Sequence, residues 1–167
     1  VDNNGEILAA FFYVGGALGV TLAGDYLTLF LFWELMAFSS VFLILYRKTE
    51  VSVKISFRYL LWHVAGGLIL LAGIIIKYNL SGNLVINHFP FHGLWPTDLQ
   101  SLASFLIMLG FIINAAVPPF GAWIPDAYPV ATVTVAVFMS AFTTKTAVYA
   151  LIRVCAGSEI LIILGFI

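Results

Sequence analysis

The sequence has 167 residues and a formal net charge of −1; 62% of its residues are hydrophobic and only 9% are charged. Soluble domains carry about one-quarter charged residues, so this composition excludes a soluble fold and requires lipid to cover much of the surface. The sequence contains no basic run of the kind that binds nucleic acid. Its single cysteine, Cys155, excludes an internal disulfide and a cysteine-based metal site. We therefore expect an integral membrane protein.

Hydropathy predicts a series of membrane spans, because a membrane-crossing helix needs about 20 mainly apolar residues. A polar hinge at 47–54 separates the second span from the third, and a loop at 79–100 separates the third from the fourth. A turn at 157–159 precedes the start of a sixth apolar run. The predicted spans are 6–23, 26–46, 57–76, a broken span that starts at 102, and 132–153.

The fourth span contains Pro118-Pro119, which a regular helix cannot accommodate, because proline lacks the backbone donor and clashes with the preceding turn. A broken helix at membrane depth is tolerated where it is buried in protein or lines a wet cavity. We predict an all-α transmembrane bundle of five complete helices, one of them broken at Pro118-Pro119, and a truncated sixth. Residues 1–167 are expected to form a single domain. Because the chain begins with Val1 and ends in an apolar run, we expect an internal portion of a longer protein.

Glu34 is the first candidate functional residue, because it lies near the middle of the second span between two aromatic and aliphatic runs. A charged side chain at the bilayer centre costs roughly 2.5 to 3.5 kcal/mol on insertion scales, so Glu34 is expected to face protein or water. A carboxyl group in such a site can load and unload a proton. The alternative is a neutral glutamic acid that is hydrogen-bonded to a neighbouring helix.

Lys145 and His63 are the other two candidates for proton translocation, in the fifth and third spans. Lys145 lies about 12 Å from Arg153 at the helical rise per residue, which is a long way for an ammonium to snorkel. Snorkelling remains the alternative for Lys145. His63 can relay a proton through its two ring nitrogens. A structural hydrogen bond is the alternative for His63.

Hydroxyl side chains at Thr143 and Thr144 lie next to Lys145 and are candidates to line a polar channel, with helix packing as the alternative. His88, His92 and Asp98 fall in the predicted loop, and their spacing does not match a metal motif. The sequence has no phosphate-binding loop, nucleophile elbow or zinc helix. We therefore expect no metal, no cofactor and no catalytic site of the chain's own.

Three segments together resemble a known family. They are GDYLTLFLFWELM at 24–36, PPFGAWIPDA at 118–127 and SAFTTKTAVYALIR at 140–153. The order and spacing of FWEL and WIPDA are similar to those in the antiporter-type subunits of respiratory complex I, multisubunit cation/proton antiporters and membrane-bound hydrogenases. The resemblance covers nearly the whole chain.

The resemblance implies that this segment is the first of two inverted five-helix repeats, each of which forms a half-channel around a broken helix. It assigns to Glu34 the role of the glutamate that modulates the pump site. It assigns to Lys145 the role of the lysine that links this site to a central hydrophilic axis. Two positions depart from the family pattern: Asn114 occupies the position of the principal pump lysine, and Gly121 that of a histidine. Asn114 cannot carry a proton as a lysine does, so it is expected to line the channel. Either the carrier is another residue, with His63 as the candidate, or this half-channel handles ions by another route.

The leading hypothesis is translocation of protons, with Na⁺ as a further candidate ion, by a subunit of a complex I-type or antiporter-type assembly. The alternative is a non-conducting scaffold subunit in which Glu34 and Lys145 form a static pair. The expected partners are other integral membrane subunits and the lipid bilayer of a prokaryotic cell membrane. Any redox chemistry, as in an NADH dehydrogenase-like or hydrogenase-linked complex, would belong to those partners.

Overall fold

The computed structural model describes residues 4–165 and confirms the predicted all-α architecture within them. Five stretches are long and apolar enough to cross a membrane, and the one at Leu99–Val130 contains the break. An isolated antiparallel bridge joins Asp25 to Val85. The helices are α1 (Asn4–Leu22), α2 (Tyr26–Leu45), α3 (Glu50–Ser81), α4 (Leu99–Ala115), α5 (Trp123–Val130), α6 (Val133–Cys155) and α7 (Glu159–Gly165).

The third span is longer than predicted at both ends. The hinge predicted at 47–54 is helical from Glu50, because Thr49 and Ser52 form a reciprocal capping box that starts α3. At the other end α3 continues to Ser81 and stops at Gly82, which has a φ of 64°. Glycine adopts this left-handed conformation at little cost, so it ends the helix. The predicted span was too short because the residues in these extra turns are partly polar and lower the hydropathy at both ends.

The predicted break lies between α4 and α5. Ala116 adopts a left-handed conformation with φ 58°, and a short 3₁₀ turn at Phe120–Ala122 leads into α5. The break frees backbone carbonyls, and the indole Nε1 of Trp123 donates to one of them, Ile113 O, at 3.2 Å. Arg47 donates to Ala131 O at 2.9 Å, just beyond the end of α5. A cation at this end also complements the helix dipole.

Helices α1 to α4 pack as antiparallel neighbours, and α6 packs across α4 and α1. The tightest crossing is between α3 and α4. A Cβ at Gly110 would lie 2.9 Å from Gly66 O, so a side chain cannot fit there. A Cβ at Gly66 would lie 3.2 Å from the Ile113 side chain. This close approach brings the polar residues on either side of the crossing into one layer.

The loop at 83–98 is tied down by backbone hydrogen bonds to the helix ends. Tyr26 N donates to Leu84 O at 2.8 Å, and Phe89 N donates to Val154 O at 2.7 Å. We call this end of the bundle the loop side, and the end with the 46–49 connection the hinge side. Each half has its own apolar core. The loop-side core is built around Leu29, Leu70, Ile74, Phe91 and Phe111, and the hinge-side core around Met36, Leu43, Ile44, Trp123 and Met139.

Candidate functional site

The carboxyl group of Glu34 lies directly over the backbone of Gly67 on α3. A Cβ at Gly67 would collide with Glu34 Oε1, so the glycine makes the space that the carboxyl group occupies. Glu34 is partly buried, and its Oε1 is buried without a hydrogen-bond partner among residues 4–165. The side chain therefore faces a neighbouring helix, which avoids the cost of a carboxyl group in lipid.

His63 lies one turn from Gly67 on the same face of α3 and is almost fully buried. Its ring stacks on Tyr59 with centroids 3.9 Å apart, and it packs nearly perpendicular to the ring of Trp123 with centroids 4.8 Å apart. His63 Nδ1 lies 3.0 Å from Tyr59 O. The other ring nitrogen, Nε2, is buried and has no partner in the described part of the chain.

Asn114 and Trp33 complete this layer from α4 and α2. Asn114 is 1% exposed, and neither its Oδ1 nor its Nδ2 has a hydrogen-bond partner among the described residues. The indole Nε1 of Trp33 is likewise buried without a partner, and its ring lies 5.2 Å from that of Phe111 on α4. We call Trp33, Glu34, His63 and Asn114 the open polar layer. Buried polar groups are normally hydrogen-bonded, so each exception calls for an explanation.

A second set of buried polar side chains lies nearer the hinge side and is fully bonded. Tyr13 Oη exchanges a hydrogen bond with Thr143 Oγ1 and also accepts one from Thr143 N at 2.9 Å. Tyr59 Oη bonds to Ser40 Oγ at 2.9 Å, and Ser40 donates to Ala37 O at 2.6 Å. We call Tyr13, Ser40, Tyr59 and Thr143 the hydroxyl cluster. It joins α1, α2, α3 and α6 within the membrane.

The structure does not bring Lys145 to Glu34. Lys145 is exposed on the outer face of α6, where it lines a groove of about 760 Å³ together with Ser140 and Tyr128. The ion pair within residues 4–165 is Arg58–Asp126 at 3.1 Å, near the hinge side. Among the other predicted lining residues, Thr143 belongs to the hydroxyl cluster and Thr144 is partly buried. His63 and Asn114 join Glu34 in the open polar layer.

Lys77 is a buried cation near the end of α3. From the sequence alone it lies just beyond the end of the predicted third span. It is 4% exposed because its side chain folds inward under the loop. Its Nζ lies 4.9 Å from the ring centroid of Tyr26 and 5.6 Å from that of Phe89, and donates to Asn83 O at 3.4 Å. Two aromatic faces and a carbonyl thus hold this ammonium.

Tyr13, Tyr59 and Ser40 could not be singled out from the sequence, because isolated hydroxyls in an apolar span give little signal. The two tyrosines did carry one clue. Tyrosine concentrates at the membrane interface, whereas both of these lie well inside their helices. A buried tyrosine usually bonds through its hydroxyl, so a position within a span indicates a polar partner on another helix.

The order and spacing of these elements match a known family of membrane proteins. The family model described as "NADH:quinone oxidoreductase/Mrp antiporter, TM" matches residues 23–164. The chain belongs to this family. Family membership and the five apolar helices together confirm the predicted integral-membrane location.

The similar proteins include subunits of ion-transporting complexes. The chain is 33% identical over 162 residues to Na(+)/H(+) antiporter subunit A1 of Staphylococcus aureus (strain bovine RF122 / ET3-1), and the match covers 90% of this chain and 20% of the relative. A second such subunit, from Staphylococcus aureus strain JH9, is 34% identical over 147 residues, and the match covers 84% of this chain and 18% of the relative. The chain thus spans about a fifth of the length of the curated relatives it matches.

Solved structures show the same helix arrangement. A chain of the Mrp complex from Dietzia sp. DQ12-45-1b matches with a TM-score of 0.75 and 30% identity, over 86% of this chain and 27% of that one. A chain of the archaeal membrane-bound sulfane sulfur reductase also matches with a TM-score of 0.75 and 30% identity, over 85% of this chain and 29% of that one. A chain of respiratory complex I from Thermus thermophilus matches with a TM-score of 0.83 and 24% identity, over 96% of this chain and 36% of that one. At this identity the match supports the fold alone.

Proposed function

We propose that this chain is the proton-handling segment of an antiporter-like subunit in a prokaryotic cell membrane. The subunit moves protons, or exchanges a cation such as Na⁺ for protons, within a multisubunit membrane complex. Family membership supports this function, as do relatives whose names describe a Na(+)/H(+) antiporter subunit and an Mrp complex. The segment would be the first five-helix repeat of that subunit.

The observation that carries the proposal is the open polar layer. Its four side chains come from three helices and lie near one helix crossing, and each holds at least one buried polar atom without a partner among residues 4–165. Ionisable groups inside a membrane are costly, so they mark ion pathways more often than packing sites. Glu34 and His63 are the two groups of the layer that can change charge. The carboxyl group of Glu34 lies over Gly67 of α3, which is about one helical turn from His63.

Lys145 has a different role in this proposal, because it faces out of the bundle. An ammonium on the outer face of a membrane helix needs polar surroundings. In the full-length subunit Lys145 would pass the charge from this segment to a neighbouring membrane segment. Coupling would be electrostatic, since a charge change at one site alters the proton affinity of the next.

The competing candidate is a non-conducting scaffold. It is favoured by Asn114 and Gly121, which stand where the family resemblance places a lysine and a histidine. In its simplest form the scaffold relies on a static Glu34–Lys145 pair, but Lys145 is exposed on the outer face of α6 whereas Glu34 lies against α3. A scaffold also gives no reason for leaving Glu34 Oε1 buried without a partner in the part of the chain that the structure describes.

Proton movement by the full-length parent complex in proteoliposomes, with a pH-sensitive dye inside, tests this proposal. Wild type is compared with Glu34→Gln and Lys145→Ala, in Na⁺ buffer and in Na⁺-free buffer. Glu34→Gln keeps the size of the side chain and removes the titratable proton. We expect both variants to assemble and to lose proton movement, by about a hundredfold for Glu34→Gln, the lower range for a positioned proton-transfer group.

A matched control is Glu50→Gln, which removes an exposed carboxyl group from the first turn of α3. It should transport protons at the wild-type rate. Unchanged proton movement in both Glu34→Gln and Lys145→Ala would establish the scaffold instead. The comparison of the two buffers identifies whether Na⁺ takes part in the exchange.

A further inference from the structure

The hydrogen bond at His63 Nδ1 fixes which ring nitrogen can receive a proton. Tyr59 O is a carbonyl oxygen and can only accept, so Nδ1 must carry the hydrogen and donate it. In the neutral ring Nε2 is then a bare acceptor. The stacked Tyr59 ring and the Trp123 ring hold the imidazole in this orientation. Nε2 is thus the one position on His63 at which a proton can be loaded.

The packing register of α3 and α4 places Asn114 on the same side of the crossing as His63. The two helices are antiparallel and cross at Gly66 and Gly110. His63 precedes Gly66 by about one turn, and Asn114 follows Gly110 by about one turn, so both lie on the hinge side of the crossing. Trp123 packs on His63 and donates to the carbonyl of Ile113, the residue before Asn114.

An amide is the side chain best suited to a nitrogen that gains and loses a proton. Its NH₂ group donates to a bare Nε2, and its carbonyl oxygen accepts from a protonated Nε2. A half-turn about the terminal torsion of the side chain exchanges one group for the other. Neither amide group of Asn114 nor His63 Nε2 has a hydrogen-bond partner in the described part of the chain, so the two side chains are not bonded to each other in this structure and nothing holds the amide in one orientation. A bridging water would carry the same donor or acceptor contact. A lysine could serve only the bare nitrogen, since it donates but cannot accept.

We propose that His63 Nε2 is the proton-loading atom of this segment and that Asn114 is the positioning residue that serves both of its protonation states. The inference rests on the proposed proton-handling function and names the atom at which the proton is held. On loading, an N–H bond forms at Nε2 and the donor, a protonated Glu34 or a water, gives up the same proton. Asn114 then turns from donor to acceptor. Unloading reverses both steps.

The test is a charge series at Asn114 in the full-length complex, with the pH dependence of proton movement as the readout. The imidazole packs against Tyr59 on its own helix and Trp123 from α5. Helix register places Glu34 from α2 and Asn114 from α4 in the same layer. Asn114→Asp places a negative charge beside Nε2, which favours the protonated ring. It should raise the pH midpoint of transport by about one unit, as expected for an opposite charge within about 4–6 Å.

Asn114→Lys should lower that midpoint by about as much, because a like charge opposes loading. Asn114→Leu should leave the midpoint in place and slow transport about tenfold, since neither protonation state finds its partner. A merely structural Asn114 would reduce the rate at every pH without moving the midpoint in opposite directions. Opposite shifts in the Asp and Lys variants support the proposal, and shifts in one direction or none overturn it.

A second measurement holds even if the charged variants fail to assemble. His63→Asn retains a donor for Tyr59 O but has no Nε2, so the variant should assemble and lose proton movement. The control is His88→Asn on the loop, where the native ring bonds to Ala156 O, and its transport should remain unchanged. Wild-type transport in His63→Asn would overturn the assignment of the loading atom. If Glu34→Gln also transports normally, the proposed function itself fails; if only His63→Asn does, this inference fails alone.

Discussion

The open polar layer and the hydroxyl cluster are both buried and polar, yet they are bonded in opposite ways. In the hydroxyl cluster the oxygen atoms of Tyr13, Ser40 and Tyr59 all have partners. In the open polar layer every residue retains a buried atom that has no partner within the described residues. The two sets are close, since Glu34 and Ser40 lie about 9 Å apart along α2.

This difference separates the groups that hold the bundle together from those that are available for chemistry. A fully satisfied polar network makes a structure rigid, whereas an unsatisfied one costs stability and is retained where function needs it. None of the hydroxyl cluster residues carries a charge at neutral pH. The open polar layer contains two groups that can. Changes in the first set should therefore alter stability, and changes in the second should alter transport.

The largest stability effect should come from Tyr13→Phe. The change removes the hydroxyl that exchanges a hydrogen bond with Thr143 Oγ1, and it leaves this buried hydroxyl of α6 without that partner. We expect the folded protein to lose about 2 kcal/mol, the middle of the range for an unsatisfied buried group. Thermal unfolding of the purified full-length protein would measure this loss, with transport per folded molecule unchanged.

Tyr149→Phe is the matched control, because its hydroxyl donates to Thr21 O at an exposed position. It should cost clearly less than Tyr13→Phe. If Tyr13→Phe stopped transport and left unfolding unchanged, the hydroxyl cluster would belong to the pathway and the distinction between the two sets would be lost.

A smaller but more local effect is expected for Gly67→Ala. The new methyl group would lie 1.9 Å from Glu34 Oε1, so the flexible carboxyl end must move away. Displacing a reacting group by about 1 Å can cost up to a hundredfold in rate, so we expect at least a tenfold loss of proton movement. Unfolding should change little. Gly15→Ala, where a Cβ meets nothing within 4 Å, serves as the control.

The smallest effect is expected at Asp25, which lies outside both sets and caps α2. Its carboxylate accepts from Thr28 N at 2.8 Å and from the Thr28 hydroxyl at 2.7 Å. Asp25→Ala should cost about 1 kcal/mol or less, because the cap is partly exposed and screened by water. These bonds hold the pKa of Asp25 below its ordinary value.

The pH dependence of this cap follows from the direction of that shift. The stabilisation is present above the ordinary pKa of an aspartate and disappears as the pH falls through the lowered value. Unfolding of wild type and Asp25→Ala should therefore differ at neutral pH and converge in acid, below about pH 4. A difference that persisted unchanged in acid would contradict the capping role.

The sequence was sufficient to predict the class of fold, the five spans and the break, because hydropathy and proline act locally. It also singled out Glu34 and His63, since a polar residue inside an apolar run is visible without a structure. Helix ends were less certain, as α3 shows, because capping depends on a few short side chains at 49–52. Prediction of a spanning helix thus says little about its first and last turns.

The partners of the polar residues could not be predicted, because they depend on contacts between distant parts of the chain. Tyr13 meets Thr143 only after α1 packs beside α6. Lys77 and Lys145 illustrate the same difficulty. The first lies near a helix end and folds inward, whereas the second lies well within a span and points outward. Side-chain direction follows from helix rotation in the bundle, which is set by packing.

The apolar loop-side core also determines how a membrane voltage would act on this segment. Apolar side chains, among them Leu29, Leu70, Ile74 and Phe111, fill the space between the open polar layer and the loop side. An electric potential falls mainly across regions of low dielectric constant, so a proton at Glu34 or His63 would be separated from the loop-side solution by a large part of the field. Each elementary charge that crosses 100 mV exchanges about 2.3 kcal/mol with the membrane. The same core that packs the helices would therefore carry much of the drop in electric potential between these two groups and the loop-side solution.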